Sequence, residues 1–331
     1  MTFFIRANFF NHSFGCDNTR NITFPQFGLS ISILPEFASL SMQTINEKIN
    51  ERDNVGQSLF TSVCKFETEN CNDKGKIWKI LENVSSILSF MEGRCIGFNE
   101  LEIFDEKNNC IYQQKAGAYR TGSAKQDYLV DFRQEDFLKK SLEKLENSMF
   151  LEKTGVDLAL AFYLEPVFAG EHIAGEIQHI MNWTGLEILA NKFYEKSNGK
   201  KVSRLRNNSE LLKNTFQQPA LSLIEKMTVS DDLKELGKDK LNSINWEPPI
   251  KEKIKKMAEN FDVDLPTESL KKIYKTRNNI IHNGEPLTDG RILLYTKGLL
   301  ERFLIRLFEI SPNDNQFFIS KIHWSSNFLN D

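Results

Sequence analysis

The sequence predicts an α+β protein, with a mixed, strand-rich N-terminal half followed by an all-helical bundle. In the first 150 residues, apolar and polar side chains alternate over several short runs, which is typical of half-buried β-strands. After about residue 165, the apolar residues recur only at the three- and four-residue spacing of amphipathic helices. The length of 331 residues fits two domains. We therefore expect a first domain at 1–165, a helical bundle at 166–311 and a polar tail at 312–331.

Composition and charge place the chain among ordinary globular proteins. It is 40% hydrophobic with a net charge of −3, which argues against a polycationic protein that coats nucleic acid. No segment has the features of a signal peptide, and the most apolar stretch, 157–170, is interrupted by Glu165 and Pro166 and is too short to span a bilayer. We expect a cytoplasmic protein without membrane contact. The cysteines form no CxxC pair, which disfavours a zinc ribbon and fits free thiols in a reducing compartment: Cys16, Cys64, Cys71, Cys95 and Cys110.

The N-terminal half contains three strand-like segments and two helical ones. Strands are predicted in 27–35, in 58–68 and in 100–114, where Lys107, Asn108 and Asn109 form a turn. The segment 76–93 has an amphipathic face and a C-terminal Gly93, and 134–150 has helical spacing as well. No catalytic constellation stands out here. We expect a sensing or interaction domain.

The C-terminal half contains only helical patterns. They cover 171–197, 209–227 with an interruption near Pro219, 248–261, 266–284 and 287–310. The fourth begins at Pro266 or Thr267 and stops at Gly284.

An arginine interrupts the apolar stripe of that fourth helix. Leu270, Ile273 and Tyr274 precede it at helical spacing and Ile280 follows, yet the intervening position of the stripe is Arg277. A histidine, His282, comes five residues later at the helix end. One interpretation is that Arg277 extends to solvent along its stem while His282 is a C-terminal residue favoured by the helix dipole. The other is that both side chains belong to a site.

The second interpretation is supported by a resemblance. Arg277-Asn278 followed by His282, at the end of the penultimate helix of a small bundle, resembles the signature of HEPN domains, in which the histidine follows the arginine by four to seven positions. The resemblance covers about 166–311. The two-half layout and the stretch ILSFMEGRCIGFNELEIFD are also similar to ApeA-type two-domain proteins of bacterial anti-phage defence. The resemblance implies a metal-independent endoribonuclease that acts as a toxin or defence effector and forms a homodimer with a composite site. Its implied substrate is RNA, with tRNA among the candidates. The resemblance also implies that the N-terminal domain binds a phage-derived or regulatory ligand.

The chemistry of RNA cleavage fits these residue types. The 2′-hydroxyl of RNA can attack the adjacent phosphate if a base such as His282 accepts its proton. Arg277 can stabilise the charge that gathers on phosphorus, and Asn278 can hold a phosphate or the arginine. No metal or cofactor is required. We expect Lys271, Lys272, Lys275 and Asn279 to bind RNA. Each lysine alone is at least as consistent with a solvated helix face, and only Lys275 is favoured for RNA binding, by its adjacency to the motif.

Other motifs give weaker hypotheses. His172, Glu176 and His179 share one helix face and could bind a metal, although an exposed polar face is the simpler interpretation and no second Glu-x-x-His occurs. Glu187 is a candidate supporting acid in the bundle. Walker A, G-x-G-x-x-G and G-x-S-x-G motifs are absent from the sequence. The alternative function is a non-catalytic HEPN module that binds RNA, a nucleotide or a protein partner.

Overall fold

A computed structural model describes residues 2–12, 21–24, 28–53, 57–69, 72–119, 135–169, 173–196, 210–243 and 247–308. It confirms the predicted α+β fold, because the strands of one antiparallel sheet lie in the N-terminal region and only helices follow them. The described strands are β1 (Phe3–Phe10), β2 (Asn21–Phe24), β3 (Leu29–Ile33), β4 (Phe60–Thr68), β5 (Gly97–Phe104) and β6 (Cys110–Tyr119).

The sheet has the strand order β2-β3-β4-β1-β5-β6, so the N-terminal segment forms a central strand. Along β1, Ile5 and Ala7 are buried while Phe4 and Arg6 are exposed, which is the alternation of a strand with one packed and one open face. The predicted turn between β5 and β6 is confirmed, and Asn108 adopts the left-handed φ of 63° there. The predicted strands at 27–35 and 58–68 are confirmed as β3 and β4.

The helices that were predicted begin and end close to their predicted positions, with one clear exception. The helices Met42–Asp53, Val156–Ala169 and Asp231–Asn242 were not predicted. The segment 134–150 is not one helix, because Asn147 interrupts it and its Oδ1 accepts a hydrogen bond from the Phe150 N–H at 3.1 Å, which starts a new helix. No helix in the described ranges is both long and apolar enough to cross a membrane. The described α-helices are α1 (Met42–Asp53), α2 (Lys74–Glu92), α3 (Glu135–Leu145), α4 (Ser148–Thr154), α5 (Val156–Ala169), α6 (Gly175–Lys196), α7 (Gln218–Lys226), α8 (Asp231–Asn242), α9 (Ile250–Phe261), α10 (Thr267–Asn278) and α11 (Gly290–Leu307).

Helix α2 joins the sheet to the helical bundle. On one side its Trp78 packs edge-to-face on Phe98 of β5, with ring centroids 4.9 Å apart. Near its other end, Phe90 contacts Tyr163 of α5 at 5.2 Å, so that one continuous hydrophobic core includes both halves. The boundary expected between residues 165 and 166 falls inside α5, which contacts both α2 and α6.

Helix α6 packs against α5, α9 and α11 at the centre of the bundle. The crossing is close at Gly185, where an added Cβ would lie 2.8 Å from Leu300 Cδ2 and 3.3 Å from the Ala159 carbonyl oxygen. A Cβ at this position would force Leu300 to shift, so glycine suits this close approach of three helices. The close packing fixes the faces of α6 and of the helices around it, and therefore the side chains that α6 directs toward α10.

Candidate active site at the end of helix α10

The segment with the Arg-Asn…His motif ends in an unusual helical turn. Helix α10 begins at Thr267 after Pro266, as predicted, and continues beyond Asn278 as a π-helical turn, Asn279–Asn283. It stops at Gly284, which has the left-handed φ of 65°. A π turn contains one residue more than an α turn, so it brings position 282 back toward the side of the helix that carries Arg277. Such turns are frequent at functional sites.

Arg277 lies at the edge of the bundle core, with its guanidinium held from two sides. Its Nη1 donates to Asn278 Oδ1 at 3.1 Å, and its Nη2 lies 3.7 Å from Glu187 Oε1 on α6. The side chain is 24% exposed. Its Nε is buried without a hydrogen-bond partner among the described residues, which costs stability. The guanidinium is therefore restrained by neighbouring side chains and does not extend fully into solvent.

Glu187 is itself fixed by a buried aromatic pair. Its Oε1 accepts a hydrogen bond from Trp183 Nε1 at 2.6 Å, one helical turn earlier on α6. The fully buried Trp183 packs against Tyr274 of α10, with ring centroids 5.7 Å apart. This contact holds α6 and α10 in register, so that the carboxylate meets the guanidinium. The sequence suggested Glu187 only as a weak candidate, and the structure places it in the site.

His282 lies on the π turn with an exposed side chain. It forms no side-chain hydrogen bond or ion pair within the described part of the chain, so both ring nitrogens are open to a ligand. Its neighbour Ile281 is 43% exposed. The structure thus combines a restrained arginine and an unrestrained histidine at one helix end.

The carboxylate of Glu285, which sequence reasoning missed, accepts two hydrogen bonds from side chains of the π turn. Glu285 Oε2 accepts from Asn279 Nδ2 at 2.6 Å, and its Oε1 accepts from Asn283 Nδ2 at 3.0 Å. Asn279, predicted to bind RNA, is therefore engaged in shaping the turn. A local signal existed, because an acid two residues after an asparagine at a helix stop can accept from it, but the spacing is not specific.

The lysines near the motif differ in their surroundings. Lys271 pairs with Glu268 on the same helix, with Nζ and Oε1 2.7 Å apart. Lys272 is exposed and close enough to Asp289 to contribute to lowering the pKa of that carboxyl, although Arg291 is the larger cause. Lys275 is exposed and forms no ion pair among the described residues. The surroundings are therefore a mixture of charges, with Lys275 the most available cation beside Arg277.

The proposed metal ligands on α6 have other partners where they are described. Glu176 Oε1 accepts from the Leu287 N–H at 2.7 Å, and this hydrogen bond lowers the pKa of the carboxyl. His179 is fully buried, 3.1 Å from Thr296 Oγ1 through its Nδ1, and burial lowers its pKa to about 4. The interpretation of an exposed polar face is thus wrong for His179. His172 lies outside the described residues.

The N-terminal half contains a polar cluster that sequence spacing could not reveal. His12 Nδ1 lies 3.1 Å from Ser62 Oγ, and His12 Nε2 lies 3.6 Å from Glu92 Oε1, while Arg94 Nε lies 3.2 Å from the other oxygen of Glu92. The order serine, histidine, carboxylate resembles a catalytic triad. All four side chains are fully buried, however, and burial together with Arg94 lowers the pKa of His12 to about 3. The cluster therefore anchors the end of α2 to the sheet.

No family model matches the chain, and neither a curated protein nor a solved structure matches it. The chemistry of the α10 site is consequently inferred from its own contacts. A guanidinium restrained by Glu187 and Asn278 can bind an anion through its remaining donors. An exposed imidazole nearby can exchange a proton with a bound ligand.

Proposed function

We propose that the protein is a metal-independent endoribonuclease of the HEPN type, acting as a toxin or anti-phage defence effector. The observation that carries the proposal is the pairing of a half-buried, oriented Arg277 with an exposed His282 on the π turn that ends the same helix. An arginine that served only packing or solubility would not need two polar side chains to orient it. The positions also match the motif by which the sequence resembles HEPN domains.

In the proposed reaction RNA supplies its own nucleophile. His282 accepts the proton of a 2′-hydroxyl, the 2′-oxygen forms a bond to the adjacent phosphorus, and the bond to the 5′-oxygen breaks. The products are a 2′,3′-cyclic phosphate and a 5′-hydroxyl, which forms when the leaving 5′-oxygen takes up a proton from water. Arg277 stabilises the negative charge on the phosphate oxygens as phosphorus becomes five-coordinate. Asn278 and Glu187 act as positioning residues, since they contact the guanidinium.

A homodimer would complete this site. One protomer offers a single arginine and a single histidine, whereas a two-fold axis beside the motif would double both. Exposed apolar side chains occur on three elements that flank the motif: Ile281 on the π turn, Leu294 on α11 and Ile177 on α6. A partner protomer that covered them would account for their exposure in the single chain.

The test is RNA cleavage by the purified full chain and its variants. We expect Arg277→Ala to lower the rate by about 10² to 10³ and His282→Ala by about 10² to 10⁴. Arg52→Ala, at an exposed position of α1, is the matched control and should cleave at the parental rate. Circular dichroism establishes that the variants fold.

The products and the binding of RNA separate the proposal from its alternative. Fragments that end in a 2′,3′-cyclic phosphate support the mechanism, and parental rates in either motif variant would refute it. If the parent binds RNA without cleaving it and Arg277→Ala releases that RNA, the bundle is the non-catalytic RNA-binding module instead.

A further inference from the structure

The open face of the sheet contains a depression of about 480 Å³, far along the chain from the Arg277 site. Four strands and the β5–β6 turn contribute to it, and its volume lies within the range typical of small-molecule sites. The side chains that line it include Phe4, Arg6, Ser30, Lys65, Glu67, Phe104 and Asn108.

Strand register arranges these side chains in two neighbouring rows. In the first row, Phe4 on β1 lies opposite Phe104 on β5 and Glu67 on β4. In the second row, Arg6 lies opposite Lys65 on β4. Phe4 and Arg6 are two residues apart on one strand, so the rows are separated by about 7 Å.

The first row contains aromatic side chains that are not part of the hydrophobic core. Phe4 is 41% exposed although it lies on a central strand, and its cross-strand neighbour Phe104 also borders the depression. Exposed rings on a sheet face are suited to stacking against a planar ligand. Glu67 at the end of this row can accept hydrogen bonds from an amino or hydroxyl group of such a ligand.

The second row brings two cations together. Lys65 and Arg6 are direct cross-strand partners, an arrangement that destabilises a sheet when nothing compensates it. Arg6 has Glu102 nearby, with Nε and Oε2 3.8 Å apart, but Lys65 forms no ion pair within the described ranges. An anion bound between the two cations would relieve their repulsion. Ser30 opposite Lys65, and Asn108 on the turn, add polar groups at the margins.

We propose that this depression binds a nucleotide, with the base on Phe4 and Phe104 and the phosphates on Arg6 and Lys65. A nucleotide joins a planar ring to an anion through one ribose, which matches an aromatic row beside a cationic row. Glu67 then accepts from the base amino group or a ribose hydroxyl. The inference stands on the sheet alone and does not depend on the nuclease proposal.

The test is isothermal titration of the full-length protein with ATP, GTP, CTP and UTP in turn, and with adenosine and pyrophosphate as partial ligands. At least one nucleotide should bind, and both partial ligands should bind more weakly. Lys65→Ala is expected to weaken binding about 10-fold or more, through loss of a charge-assisted contact. Phe4→Leu, which retains an apolar side chain on the strand and removes the flat ring, should weaken it by about 5-fold or more.

Matched controls decide where a bound nucleotide lies. Lys76→Ala, at an exposed position of α2, should bind like the parent. The inference fails if no nucleotide binds at concentrations up to about 1 mM. It also fails if Lys65→Ala and Phe4→Leu bind normally, or if only Arg277→Ala abolishes binding, since the nucleotide would then occupy the bundle site.

Discussion

His179 makes the stability of the bundle sensitive to mild acid. The side chain is fully buried between α6 and α11, and burial lowers its pKa from the ordinary 6.5 to about 4. Between these two values the unfolded chain binds a proton that the folded chain does not. The free energy of unfolding must therefore fall as the pH drops from about 6.5 to about 4, and this contribution is fully present above 6.5.

The size of the effect follows from the two pKa values. Each pH unit within the window costs about 1.4 kcal/mol for one such histidine, so lowering the pH from 6.5 to 5 removes about 2 kcal/mol. A typical domain is stable by only about 5 to 15 kcal/mol, which makes the loss easy to measure.

Urea unfolding at several pH values between 5 and 7.5, for the parent and for His179→Asn, measures this contribution. Asparagine keeps a polar group opposite Thr296 but cannot take up a proton, so the pH slope of stability should become shallower by about 1.4 kcal/mol per unit. His12 has a lowered pKa in both proteins, and its effect cancels in the comparison. Equal slopes in the two proteins, or an NMR titration of His179 near pH 6.5, would refute the reasoning.

Three further predictions concern the proposed nuclease. Cleavage should continue in EDTA, because Arg277 and His282 supply the charge and the base; activity that stops in EDTA and returns with added Mg²⁺ contradicts this. Glu187→Gln should slow cleavage about 10-fold by releasing the guanidinium, whereas Glu195→Gln, farther along α6, should match the parent in the same assay. Light scattering should give twice the chain mass, and Ile281→Glu should give monomers that no longer cleave; a fully active monomer would rule out the composite site.

The sequence correctly predicted helix ends that depend on residues close together in the chain. Gly93 and Gly284 stop their helices with left-handed φ values of 62° and 65°, as their positions in the sequence indicate. The break at Asn147 was missed because helical spacing continues across it, and only the hydrogen bond to the Phe150 N–H reveals the new start. The central strand β1 was missed because phenylalanines on both faces obscure its alternation.

The motif residues could be selected from sequence, but their partners could not. Glu187 is 90 positions from Arg277, and only the packing of α6 on α10 through Trp183 and Tyr274 brings the two together. The burial of His179 depends in the same way on α11. The pairing of Lys271 with Glu268 could not be predicted, because it depends on side-chain conformations.

The π turn between Arg277 and His282 changes how this segment should tolerate a change in length. A π turn is equivalent to an α turn with one inserted residue. Deleting one residue between Asn278 and His282 should let the segment relax to a regular α-helix, with the histidine four positions after the arginine and on the same face. The same deletion one turn earlier would rotate Leu270 and Ile273 out of the core. Homologous chains should therefore differ in length at this turn, whereas the number of residues between Leu270 and Arg277 should stay constant.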